Sequence, residues 1–181
     1  ECRDPSTYNS IIQAIALGAT KLSEISNQVG IETGLCTTYI KKLISLGIII
    51  KDTPIYKPSK KQTIYLLADH MFQFWYKFVL PNISLINMGM GDRVYKKIEP
   101  HFYEFMGYIF EDICKQYLWL LNIHEELPLF FLKLGRWWGN DTRIKAEAEI
   151  DIVAYNDENQ ILIGECKWRN EDTDKKVLDK T

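Results

Sequence analysis

Residues 145–168 read KAEAEIDIVAYNDENQILIGECKW. From Lys145 to Ala154 acidic and apolar side chains alternate, the period of a strand, so Glu147, Glu149, Asp151 and Val153 share one face and Ala148, Ile150 and Ile152 the other. Asn156-Asp157-Glu158-Asn159 is a turn, and Gln160–Trp168 alternates again, with Ile163, Glu165 and Lys167 on one face. If these strands pair as a hairpin, Asp151 and Glu165 meet at the same edge of a sheet. Carboxylates brought together repel, and at neutral pH the remedy is a shared proton or a divalent cation. An oxygen-only donor set without His or Cys side chains suits Mg²⁺ or Mn²⁺ rather than zinc. Such an ion would bind a phosphate and activate a water, with Lys167 orienting that water or neutralising developing charge.

Upstream, Leu129–Leu134 has the composition of a further strand. Before it, the residues after Pro100 follow a helical period to about Leu121, with Phe102, Phe105, Met106, Ile109, Phe110, Ile113, Tyr117 and Leu120 on or near the buried side. A helix followed by three strands is therefore expected. Asp69–Leu80 is an aromatic-rich helix that Pro81 should end, its aromatics packing rather than stacking on bases, and 82–92 reads as a connector.

The N-terminal third has a different pattern. Tyr8–Leu17 and a segment after Thr20 are helical and stop at Gly18 and Gly30, and a third helix over Thr33–Leu46 stops at Gly47. In that third helix Leu35, Tyr39, Leu43 and Leu46 are expected inward, with Thr37, Thr38, Lys41, Lys42 and Ser45 outward. The strand candidate Ile48-Ile49-Ile50, the polar loop Lys51–Gln62 and the strand candidate Thr63–Leu67 follow. Helix, turn, helix and then two strands around a loop make a winged helix-turn-helix. Residues 33–61 hold six cations, Lys41, Lys42, Lys51, Lys57, Lys60 and Lys61, against the single acid Asp52. That excess is the footprint of phosphate contact, and Thr37, Thr38, Lys41, Lys42, Lys57, Lys60 and Lys61 are the candidate contacts to double-stranded DNA. A helix bundle with a lysine-bearing face, or a winged helix used for protein contact, fits the same pattern.

The net charge of −2 conceals this asymmetry: residues 1–68 carry 8 Lys+Arg against 5 Asp+Glu, leaving 14 against 19 for the remainder. With 46% hydrophobic residues the chain can bury a core, but no apolar run approaches the roughly 20 residues of a membrane span. Cys2, Cys36, Cys114 and Cys166 are scattered, away from His70, His101 and His124, which argues for reduced thiols and against a zinc site. A soluble, cytoplasmic protein with no membrane partner and no secretory leader is expected. No GxxxxGK[ST] occurs, so the chain has no ATP site of the P-loop kind.

The arrangement of Asp151 followed by Glu165-Cys166-Lys167 resembles the D-x(n)-(D/E)-x-K signature of PD-(D/E)XK nucleases. The whole chain resembles the C-terminal part of the archaeal-type P-loop ATPase family. The matching stretches are Tyr8–Gly18, Leu46-Gly47-Ile48-Ile49, Phe74-Trp75-Tyr76-Lys77-Phe78-Val79, Gly107-Tyr108-Ile109-Phe110-Glu111, Gly135-Arg136-Trp137-Trp138, Glu149–Ala154 and Gly164-Glu165-Cys166-Lys167-Trp168. The resemblance implies an α+β chain: a winged helix over 1–68, a helical connector over 69–92, and an αβββ restriction-endonuclease-like domain over 93–181. That domain is expected to continue past Thr181 with a second core helix and a last strand. It also implies that Glu111 joins Asp151 and Glu165 at a Mg²⁺ or Mn²⁺ site with Cys166 in the metal shell. Glu111, Asp151, Glu165 and Lys167 are then the catalytic set of a DNA phosphodiester hydrolase, and the ATPase domain of the same family chain is a partner. A degenerate nuclease fold kept for DNA binding or regulation is the alternative.

Overall fold

The computed structural model describes residues 4–141 and 145–169. It is a mixed α+β chain with two small antiparallel sheets. It divides into two compact units, one of residues 1–52 and 63–98 and one of residues 53–62 and 99–181. The segment expected as a connector thus lies in the first unit, and most of the loop expected as a wing lies in the second.

The first unit begins with three helices, α1 (Pro5–Ala16), α2 (Leu22–Val29) and α3 (Thr33–Ser45). Asp4 caps α1 by accepting from the Thr7 amide, and Pro5 fills the first turn, where no amide partner is needed. The Glu24 carboxylate reaches back to the Thr20 and Lys21 amides and satisfies the entry of α2. The helices α2 and α3 stop because Gly30 (φ +75°) and Gly47 (φ +72°) adopt the left-handed conformation, letting Ile31 donate to the Ser26 carbonyl and Ile48 to that of Leu43. The strands β1 (Ile49–Asp52) and β2 (Ile64–Leu67) then pair antiparallel, Ile49 opposite Leu67 and Asp52 opposite Ile64.

The core here is Ile11, Ile12, Ile15, Ile25, Cys36, Ile40, Leu43, Ile49 and Leu67, with small alanines between. The helix α3 buries the row Cys36, Ile40 and Leu43, whereas Leu35 is 47% and Leu46 52% exposed. Of the expected inward row, Leu43 is buried and Tyr39 packs against the core, while Cys36 and Ile40 are buried where Leu35 and Leu46 were expected. A Leu-weighted reading favoured 35 and 46 over the small Cys36, which seats fully.

Pro81 does not end the aromatic helix. The α4 helix (His70–Phe74) passes into a π-helical turn (Trp75–Val79) and a 3₁₀ turn (Leu80–Asn82), then into α5 (Ile83–Asn87). Proline sits at the start of the 3₁₀ turn, where its missing amide breaks no bond. Buried Asn82 stabilises this junction, donating to the Phe78 carbonyl (2.8 Å) and accepting from Lys97 Nζ (2.9 Å). The helix α6 spans Gly91–Ile123 with Pro100 inside it, so it starts well before the position expected.

The second unit carries a three-stranded meander, β3 (Lys133–Asp141), β4 (Ala146–Tyr155) and β5 (Ile161–Gly164), in the order β3-β4-β5. The strand expected at Leu129–Leu134 starts only at Lys133; before it the Leu132 amide donates to the Tyr155 carbonyl and Phe131 is held by Asn122. The Asn122 amide donates to the Phe131 carbonyl and accepts from the Phe131 amide, each at 3.0 Å, which seats Phe131 at 0% exposure with its ring 4.9 Å from that of Trp119. The hairpin between β4 and β5 is as read from the alternation, its turn held by Asn156 Oδ1, which accepts from the Glu158 and Gln160 amides. The fifth strand ends at Gly164, short of the strand expected over Gln160–Trp168, so Glu165 and Lys167 lie beyond the sheet and residues 165–169 carry no regular structure.

The loop 53–62 is built onto β3. The Ile55 amide donates to the Arg136 carbonyl at 3.0 Å, and Gln62 Nε2 donates to the Trp138 carbonyl at 2.7 Å. The Trp138 indole returns a bond to the Gln62 carbonyl, and the Tyr155 hydroxyl donates to that of Ile55. A β carbon at Gly135 would come within 3.1 Å of the Ile55 side chain, so any other residue there requires Ile55 to shift by a few tenths of an ångström. The loop thereby occupies carbonyls of β3 that the β4 ladder does not use.

Candidate functional site

The second unit gathers charged and sulfur groups around Asp151. The register that sets Ile152 opposite Gly164 places Asp151 at the level of Glu165, one step beyond the last paired residue of β5. The Asp151 carboxylate accepts from the Cys166 amide at 2.8 Å, which fixes the chain as it leaves the sheet. The Phe110 ring lies 5.5 Å from that of Trp168, so this exit segment packs on the part of α6 that carries Glu111.

Glu111 is half-buried, and its carboxyl is pushed up to about 7, first by burial and then by the negative charge of Asp151 and, more weakly, of Glu149. Lys115, one turn along α6, and Arg136 oppose that shift. Arg136 lies 4.8 Å over the Trp138 ring and 3.4 Å from Glu149, so this cation is oriented by both. The Cys166 thiol is pushed up to about 12 by burial, then by a hydrogen bond and charge from Cys114, then by Asp151 and Glu111. Burial likewise raises the Cys36 thiol in the core of the first unit.

Of the expected metal-site residues, Glu111, Asp151 and Cys166 lie close enough to perturb one another. Glu165 is paired elsewhere, with Lys167, and this ion pair raises the lysine above its usual range. Among the described residues no group of three or more His, Cys, Asp or Glu side chains is placed to hold a metal ion. The donor chemistry at Glu111 and Asp151 still suits a hard divalent cation, which would offset the repulsion between the two carboxylates. The fit extends to two carboxylates.

Cys114 and Lys115 were not assigned to this site from sequence. Cys114 and Lys115 stand three and four residues after Glu111, the spacing of one helix face, and that signal was available. Glu147 is exposed on β4.

In the first unit Thr38, Lys41 and Lys42 are exposed on α3 and Thr37 is half-buried. The Thr37 hydroxyl donates to the Thr33 carbonyl (2.8 Å) and that of Thr38 to the Gly34 carbonyl (3.3 Å). In the second unit Lys57 and Lys61 are exposed; Lys57 has φ +48° and lies 5.1 Å over the Tyr56 ring. The Lys60 side chain lies outside what is described. No helix among the described residues is long and apolar enough to cross a membrane.

The family model DUF234, archaeal and bacterial proteins of unknown function, matches residues 75–178. The chain belongs to this family. It is also 36% identical over 172 residues to an uncharacterised protein of Methanocaldococcus jannaschii, a match that covers 94% of this chain and 37% of that relative. No solved structure matches. In this member of DUF234 the matched region takes in Glu111, Asp151 and the Glu165-Cys166-Lys167 run, and leaves α1–α3 and both strands of the first sheet outside.

Proposed function

We propose that this chain is the DNA-binding and nuclease-like part of a P-loop ATPase, with a winged helix in the first unit and a PD-(D/E)XK-type site in the second. The observation that carries the enzymatic half is the Glu111 and Asp151 pair, drawn together from a helix and a strand that are distant in sequence. The basic outer surface of α3, presented after a helix-turn-helix and before a two-stranded sheet, supports the DNA-binding half. The relative's additional length leaves room for a nucleotide-binding domain, consistent with the missing P-loop here.

In this reading Glu111 and Asp151 hold Mg²⁺ or Mn²⁺, with Cys166 beside them. The ion supplies a Lewis acid for a phosphate oxygen and a more acidic water. Burial and the neighbouring acids govern whether Glu111 carries its proton. Asp151 keeps the backbone at Cys166 in place. Lys167 and Arg136 bring positive charge to the rim, where a phosphate would arrive. The test is Mg²⁺-dependent nicking of plasmid DNA by the purified chain, which Asp151→Ala should abolish; equal nicking by both proteins would end the proposal.

A second reading is a DNA-binding or regulatory module without turnover. The ion pair between Glu165 and Lys167 and the lack of a three-ligand group among the described residues favour it. Mg²⁺ calorimetry at pH 8 separates the two, since only the first requires saturable binding that Asp151→Ala removes.

A further inference from the structure

We propose that α3 recognises thymine methyl groups in duplex DNA through Leu35 and Thr38. The proposal rests on the first unit's being the DNA-binding part and adds what that helix selects. Leu35 has no part in the core, because the inward row of α3 is Cys36, Ile40 and Leu43, all essentially inaccessible, while Leu35 is 47% exposed. Thr38 stands three residues on, one turn along the same exposed side. Its hydroxyl proton is committed to the Gly34 carbonyl, and that of Thr37 to the Thr33 carbonyl. What these residues can offer a ligand is therefore methyl groups and acceptor lone pairs.

In the major groove the base-edge group that the methyl surface matches is the thymine 5-methyl; the hydroxyl lone pairs match the amino groups of adenine N6 and cytosine N4, and guanine N7 and O6 and adenine N7, which require donors, are left unmatched. Position agrees with chemistry, for the residues of a recognition helix that meet base edges lie in its N-terminal half. Leu35 and Thr38 lie in that half of α3, and Lys41 and Lys42, exposed in the other half, supply the charge a phosphate backbone complements.

The experiment compares two duplexes of alternating sequence, dA·dT and dA·dU, which differ only by the 5-methyl. Binding of the full chain is measured at fixed salt. Each methyl engaged should make the dA·dT duplex about fourfold tighter. Leu35→Ala should reduce that ratio without weakening dA·dU binding. Thr38→Val, which keeps methyl groups in place, should retain the preference, and Thr38→Ser should lose its share. Because Leu35 and Thr38 are exposed, these variants should fold, which circular dichroism checks. Salt-sensitive binding with equal affinity for both duplexes would overturn methyl recognition and leave the DNA-binding assignment standing. No salt-sensitive binding to either duplex would overturn the assignment itself. A shift in sedimentation of Leu35→Ala without any thymine preference would mark a protein-docking surface and overturn the proposal.

Discussion

Glu111 is the residue whose chemistry departs furthest from that of its free side chain without a direct hydrogen-bonding cause. Its raised pKa means that the folded state holds its proton more tightly than the unfolded chain does. The stability linked to that proton is complete below the ordinary glutamate range and is lost as the pH rises through about 7. Glu111→Gln should therefore change little at pH 4 and stabilise the fold at pH 8, by about 1–2 kcal/mol once solvent screening of a half-buried group is allowed for. Urea unfolding at the two pH values checks this, and equal effects at both would remove the carboxyl's assigned environment. Asn122 makes the opposite case, a buried polar residue whose side-chain nitrogen and oxygen are both bonded to Phe131. Replacing it with alanine would strand the amide and carbonyl of Phe131, both buried, and should destabilise the second unit by about 2–4 kcal/mol.

Among the elements, those with strong local signals were readable from sequence and those fixed by distant partners were not. The β4–β5 hairpin followed from alternation plus an Asx-type turn, both of which are written within the residues concerned. The three opening helices followed from their glycine stops. Pro81 misled because a proline ends a helix only where its amide is needed, and here a change to 3₁₀ geometry removed that need. The start of β3 misled because the tie between Asn122 and Phe131 is a tertiary contact. At the site, the meeting of Asp151 with Glu165's level was legible from the strand period, but the commitment of Glu165 to Lys167 was not, since rotamers choose it. The loop 53–62 carried the signs of an exposed basic wing, yet its Ile55 and Gln62 bond to β3 and its Pro54 is buried. The Ile55 amide should accordingly exchange with deuterium far more slowly than the amides of Lys57 or Lys61, and Trp138→Phe, which deletes one bond to the loop, should speed it several-fold. Uniformly fast exchange across 53–62 would show the loop to be free.

At the scale of the whole molecule, charge is unevenly distributed: exposed lysines stand on α3 and in the loop 53–62, while acids stand on β4 and around Glu111. A chain with a net charge of −2 gains nothing for polyanion binding from its average, so any DNA affinity must come from a local cluster and must fall steeply with salt. If the cluster is α3, the double variant Lys41→Ala with Lys42→Ala removes two phosphate contacts, and the slope of log affinity against log salt should flatten by about 2. Lys57 and Lys61 belong to the other compact unit, so their replacement is a separate experiment on the same titration. A slope that responds to α3 and ignores Lys57 and Lys61 would confine duplex binding to the first unit. One that responds only to Lys57 and Lys61 would move it to the second, where the lysines share a unit with Glu111 and Asp151. The salt titration thus decides which surface meets the backbone before any cleavage assay is run, and an unchanged slope in both sets of variants would remove DNA from the account altogether.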